Sequence, residues 1–195
     1  MKIGLYFGSF NPIHNGHLII ASYTLQNTDI DQVWLVVSPQ NPFKPSASLL
    51  NEYHRLHLVR TAVEDSDNLR ASDIEYGLPK PSYTVDTLAY LEEKYPTHEF
   101  SIIMGADSYQ NLPKWKNATV IAKRYRVFVY PRPGFEINLT QEFPAIKVDA
   151  PLLDISSTMI RQWIRANKNI QFLVPEKVRK EITENGYYLT HPTHQ

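Results

Sequence analysis

Short uncharged apolar runs alternate along this chain with longer stretches whose apolar residues recur at helical spacing, and each kind predicts its own element. Lys2–Phe7 is apolar and bounded by Gly8-Ser9, which predicts a buried first strand. Leu18, Ile19, Ile20, Ala21 and Leu25 fit a helix packed on a sheet. Gln32–Ser38 reads as a second buried strand, and residues 51–63 as a helix with Leu56, Val59 and Val63 facing the core. Leu69–Glu75 reads as a short strand. Ser82–Leu88 opens a helix that Ser82 or Thr84 is placed to cap. Glu99–Met104, Arg126–Tyr130 and Ala145–Val148 read as further strands. From Ile155 a helix is expected with Ile160, Trp163 and Ile164 inward, and the last helix has Pro175 at its start and Gly186 after its end. Strands alternating with helices predict an α/β fold, a Rossmann-like doubly wound parallel sheet. The absence of a repeat or linker makes residues 1–195 one domain.

Composition narrows the chemistry. Twenty basic residues balance twenty acidic ones, which argues against nucleic acid or an anionic membrane as partner. The chain has no cysteine, so disulfides, thiolate metal sites and thiol catalysis are out. A strand beginning at Lys2 leaves no room for a signal peptide, and no apolar run approaches a membrane span. A soluble cytoplasmic protein is expected, with homo-oligomer formation left open.

The stretch Gly8-Ser9-Phe10-Asn11-Pro12-Ile13-His14-Asn15-Gly16-His17 holds the main chemical signal. A strand, a tight loop and a helix N-terminus point backbone N–H groups at an anion. His14 and His17 then share one face of the helix's first turn. His54 and His57 have the same spacing with no glycine loop before them, so they are expected on a helix surface. The three-proline loop from Pro39 to Ser46 carries Lys44, within reach of a phosphate at a strand's C-terminal end. In Gly105-Ala106-Asp107-Ser108, Asp107 suits either a ribose hydroxyl or magnesium on one hand, or a helix cap on the other. Trp115, between turn signals and flanked by lysines, suits stacking on a flat ring. Ser156, Ser157 and Thr158 with Arg161 form a second anion site, since a bound anion resolves the conflict of a cation near a helix N-terminus.

Two of these stretches resemble the signatures of one superfamily. Gly8-Ser9-Phe10 with His14-Asn15-Gly16-His17 is similar to the HxGH signature of the nucleotidyltransferases, and Ile155–Arg161 to their ISSTxIR signature. Ser82–Leu88, Gly105–Ser108 and Trp115 narrow the resemblance to the bacterial nicotinate-nucleotide adenylyltransferases, over nearly the whole chain. Asn11 stands where many relatives carry aspartate, a small change to the turn.

The resemblance implies adenylyl transfer from ATP to nicotinate mononucleotide, giving nicotinate adenine dinucleotide and pyrophosphate on the way to NAD. It implies catalytic roles for His14, His17, Arg161 and Lys44. It places ATP against Gly8, Ser9, Phe10, His14, Gly16, His17, Gly105, Asp107, Ser156, Ser157, Thr158 and Arg161. It places nicotinate mononucleotide against Lys44, Thr84, Trp115 and the backbone N–H of Lys116. Magnesium (Mg2+) would be held mainly by the ATP phosphates rather than by protein ligands. Three rival readings stand beside this one: an adenylyltransferase preferring nicotinamide mononucleotide or phosphopantetheine, a non-catalytic nucleotide-binding sensor module, and a zinc site on His14, His17 and Asp107.

Overall fold

The computed structural model describes residues 1–40 and 49–189. Six strands form one sheet in the order β3-β2-β1-β4-β5-β6, and every pairing is parallel. They are β1 (Lys2–Gly8), β2 (Gln32–Val37), β3 (Leu69–Ser72), β4 (Glu99–Gly105), β5 (Arg126–Tyr130) and β6 (Ile146–Lys147). The helices are α1 (Asn15–Asn27), α2 (Glu52–Val63), α3 (Thr84–Lys94), α4 (Ala106–Asn111), α5 (Ala118–Arg124), α6 (Ser157–Arg165) and α7 (Glu176–Glu184).

The sheet is buried on both faces, which is why its central strands carry continuous apolar runs rather than alternating ones. Ile3, Leu5, Trp34, Val36, Ile102 and Val127 pack on one face with residues of α3, α4 and α5. Leu35 and Val37 face the other side against α2, α6 and α7, and Ile103 and Phe128 meet α1 there. Strand order reverses between β1 and β4. In an open parallel sheet the crevice beyond the strand C-termini at such a reversal is where ligands bind. No helix among the described residues is long and apolar enough to cross a membrane.

Two local expectations are corrected. The strand predicted over Leu69–Glu75 stops at Ser72, and a 3-10 turn over Ile74–Gly77 follows. That turn carries Glu75 into the interior, where it is 2% exposed. Neither Ser82 nor Thr84 caps α3: Tyr83 is its N-cap and no side chain bonds there. Ser82 donates instead to Glu75 Oε2 at 2.7 Å. His54 and His57 are exposed on α2, as their lack of a glycine loop suggests.

Candidate active site

Beyond β1 the chain turns sharply at Phe10, whose φ of 44° is left-handed. The turn folds the Phe10 ring back beneath Gly8, where a Cβ would stand 2.9 Å from it. The ring packs edge-on against Tyr6 and His17. Phe10 is thus a core residue, and only the backbone of its turn is left to face a nucleotide. Asn11 Oδ1 accepts from the Leu50 N–H at 3.1 Å, a bond that an aspartate oxygen would also accept.

His14 precedes α1 and His17 lies in its first turn. Their rings stack with centroids 3.7 Å apart and planes 25° from parallel. The His14 backbone N–H donates to His17 Nδ1 at 3.2 Å, so a neutral His17 carries its proton on Nε2 and presents it as a donor. His14 is buried, and Nδ1 has no hydrogen-bond partner among the described residues. Burial, helped by the Arg132 charge, holds its pKa down to about 3. Gly16 makes the stack possible, because a Cβ there would sit 2.9 Å from His14 Nδ1.

The start of α6 meets this loop directly. Ser157 Oγ donates to the Pro12 carbonyl at 2.9 Å, and Arg161 Nη1 donates to the Asn11 carbonyl at 2.8 Å. Arg161 Nη2 also reaches Thr158 Oγ1 at 3.3 Å, while Ser156 caps the helix by accepting from the Met159 N–H. The start of α6 is therefore fastened to the loop that leads into α1. Burial lowers the pKa of Arg161, and its Nε has no partner among the described residues.

A cleft of about 600 Å³ opens at the reversal of strand order. Gly8, Ser9, Gly105 and Asp107 line it together with Thr84, Trp115 and Lys116. His14, Gly16 and His17 line a narrow depression beside it, of about 10 Å³, with Arg132 and Ile155. Tyr6 and Tyr130 border both, their hydroxyls 2.9 Å apart. Burial pushes both phenols above their ordinary range. Gly105 leaves little room at this wall: a Cβ would come within 2.6 Å of Asp107 Oδ1 and 2.9 Å of Arg132 Cγ, so both side chains would have to shift. Lys116 Nζ bonds Asp86 of α3 at 2.8 Å and lies 4.9 Å over the Tyr83 ring, tying the Trp115–Lys116 segment to the start of α3. Lys44 lies outside the described residues. A separate hollow of about 430 Å³ between α6 and α7 is lined by none of the predicted site residues.

Three charged residues of this region escape a reading of the sequence. Arg132, just past β5, pairs with Asp107 at 3.6 Å and faces the histidines' depression. Its place after a strand's C-terminal end was the available signal. Arg55 is 1% exposed and donates to the carbonyls of Leu50, Ser9, Ser38 and Pro39. It stands one turn before Val59, on the apolar stripe of α2, and that was its signal. Glu75 had none: nothing in its local pattern marks an inward carboxylate.

Comparison with known proteins agrees with this geometry. The cytidylyltransferase-like family model matches residues 5–163. A Flavobacterium psychrophilum protein named "Probable nicotinate-nucleotide adenylyltransferase" is 51% identical over 191 residues, covering 96% of this chain and 99% of its own. A Cytophaga hutchinsonii protein of the same name is 50% identical over 189 residues, covering 96% and 98%. Among solved structures, the Plasmodium falciparum nicotinic acid mononucleotide adenylyltransferase complexed with NaAD superposes with a TM-score of 0.81. It covers 96% of this chain and 97% of its own at 20% identity, a likeness of fold. The chain belongs to the cytidylyltransferase-like family, among its nicotinate-nucleotide adenylyltransferases.

Proposed function

We infer that this chain transfers the adenylyl group of ATP to nicotinate mononucleotide, releasing pyrophosphate and forming nicotinate adenine dinucleotide, a step of NAD synthesis. One observation carries the reading: the start of α6 is bonded to the loop that leads from β1 into α1, and that loop's Gly8 and Ser9 line a cleft together with Thr84 and Trp115.

The attacking group is the mononucleotide phosphate, whose second pKa of about 6 leaves it largely ionised at neutral pH. Its oxygen forms a bond to the α-phosphorus of ATP as the bond to the bridging oxygen breaks, and pyrophosphate leaves with that electron pair. No general base is needed. The protein has to align the two phosphates and neutralise the charge that builds on the α-phosphate and the leaving group.

His17 would donate from Nε2 to an α-phosphate oxygen. His14 enters neutral, because burial disfavours its charged form. Positive charge would therefore come chiefly from Arg161 and Arg132, with Lys44 meeting the mononucleotide phosphate. Ser156, Ser157 and Thr158 would hold the β- and γ-phosphates, and Gly105 and Asp107 the adenosine. Trp115 would stack on the pyridine ring, while Thr84 and the Lys116 N–H would receive its carboxylate. Of the cleft's two carboxylates, Glu75 accepts from hydroxyls and Asp107 faces Arg132. A magnesium ion would accordingly ride on the ATP phosphates, where it supplies charge neutralisation.

The test is an assay of ATP with each pyridine mononucleotide, following dinucleotide and pyrophosphate together. Equal amounts of nicotinate adenine dinucleotide and pyrophosphate, with higher kcat/KM for the acid than for the amide, are expected. ATP binding without pyrophosphate release would overturn the reading.

A further inference from the structure

The turn that carries His14 is held on both sides by one stretch of chain. Before His14, Arg161 and Ser157 in the first turns of α6 hold the carbonyls of Asn11 and Pro12. After His14, the connection from α6 to α7 takes hold of Asn15, the first residue of α1. The Asn15 backbone N–H donates to the Leu173 carbonyl at 2.9 Å, and its side-chain Nδ2 donates to the Phe172 carbonyl at 2.7 Å.

Both carbonyls belong to a tight turn. The Leu173 N–H donates to the Ile170 carbonyl at 3.1 Å, which closes four residues with Phe172 third among them, at a φ of 67°. A positive φ at that place belongs to turn types that favour glycine or asparagine, and a bulky residue adopts it under strain. Packing of the ring does not offset the strain, because Phe172 is 81% exposed. A strained backbone persists where its surroundings over-determine it. Here the constraint comes from bonds to the backbone, two of them from Asn15.

We propose that Asn15 is a positioning residue: by gripping the Phe172–Leu173 turn it fixes the start of α1, and with it the direction in which His17 presents Nε2. The role rests on the adenylyl-transfer reading above. Asn15 itself touches neither substrate. His17 lies two residues further on, and its Nδ1 accepts from the N–H of His14, the residue before Asn15. A rotation of this first turn breaks that bond and re-aims the ring. The Phe172 side chain takes no part, and only its backbone angle counts.

The experiment compares wild type with Asn15→Ala, Phe172→Gly, Phe172→Pro, and Asn15→Ala combined with Phe172→Pro, measuring kcat and both KM values per folded molecule. Glycine adopts a positive φ freely, whereas proline is locked near about −65° and opens the turn, and both delete the ring. Phe172→Gly should keep kcat within about twofold. Phe172→Pro and Asn15→Ala should each lower kcat about 10-fold, short of the roughly 100-fold that a full ångström of misplacement costs. Both KM values should stay within about twofold, because the disturbed contact strengthens only in the transition state. The double variant should be no slower than the slower single one, since both changes release the same grip. A clasp that served stability alone would lower the melting temperature and leave kcat per folded molecule unchanged.

Nitrogen-15 NMR of the His17 ring at alkaline pH reads the same device without turnover. Wild type and Phe172→Gly should show the proton fixed on Nε2, and Asn15→Ala and Phe172→Pro a mixture of the two tautomers. Wild-type kcat in Asn15→Ala, or a single fixed tautomer in that variant, would overturn the proposal. So would a Phe172→Gly variant as slow as Phe172→Pro, which would make the ring the active part. Should Phe172→Pro not fold, the Asn15→Ala results decide alone. Failure of wild type to make dinucleotide would instead sink the functional reading and leave the NMR result standing.

Discussion

The His14 and His17 rings lie against each other at 3.7 Å, with His14 buried and holding no hydrogen bond at Nδ1 among the described residues. A charged imidazole in that position would be desolvated and would face the Arg132 guanidinium. The folded state therefore keeps His14 neutral down to about pH 3, against an ordinary value of 6.5. Between those values the unfolded chain binds more protons than the folded one, so folding stability rises with pH. The contribution is fully present above about pH 6.5 and is lost progressively as pH falls towards 3. Replacing His14 with asparagine, which does not titrate, should flatten the stability profile across that window. Denaturant melts of both proteins at several pH values measure it, and the carboxylate contributions common to both cancel. Parallel profiles would refute the claim.

His17 stands in a different relation to the reaction. Its Nδ1 is engaged by the His14 N–H, which leaves Nε2 to meet an oxygen where charge develops. A contact that strengthens only in the transition state raises kcat without tightening ATP binding. His17→Ala should lower kcat by about 10²- to 10³-fold, the usual cost of losing one such donor. ATP affinity from calorimetry should change little. Near-normal turnover would remove His17 from the chemistry.

Selectivity for the acid should reside in the cleft. Thr84 is the first residue of an uncapped helix and lines the cleft together with Trp115. Thr84→Val keeps the shape and removes one hydroxyl donor. The ratio of kcat/KM for nicotinate over nicotinamide mononucleotide should fall about 10-fold, mainly through the acid's KM. An unchanged ratio would place the discrimination elsewhere.

What was legible in the sequence was whatever leaves a local pattern. The buried parallel strands announce themselves as β-branched runs, and Gly16 and Gly105 mark places where the chain packs too closely for a Cβ. The pairing of α1 with α6 was legible only because Gly8–His17 and Ile155–Arg161 each carry a recognisable signature 140 or so residues apart. The misses were long-range polar contacts. Ser82 has the local chemistry of a cap, but α3 begins one residue too late for it, with Tyr83 as N-cap, and its hydroxyl goes to a carboxylate seven residues earlier. Arg132 and Arg55 went unassigned because their partners are backbone carbonyls or remote side chains, which sequence periodicity does not encode.

Arg55 is the sharpest instance, and it sets a stability prediction. Its guanidinium donates to Ser9 beyond β1, to Ser38 and Pro39 beyond β2, and to Leu50 before α2. Ser9 and Ser38, just past the ends of two strands, line the cleft, so one side chain holds both exits in register. Burial lowers its pKa, yet a guanidinium stays charged at any working pH. Swapping a buried ion pair for apolar groups can be harmless when both partners go, but here the acceptors are backbone and remain. Arg55→Met would leave four carbonyls short of a donor, those of Ser38 and Pro39 buried and those of Ser9 and Leu50 half-buried, partly offset by relief of the desolvated charge, for a net loss of about 3 kcal/mol. Arg55→Lys should fall between the two, because an ammonium presents its three donors at a point and cannot span carbonyls that a planar fork reaches. Urea titrations of the three proteins test the order. A Met variant within about 0.5 kcal/mol of wild type, the usual range for a surface change, would mean that the carbonyls find other donors and that Arg55 does not hold the two exits together.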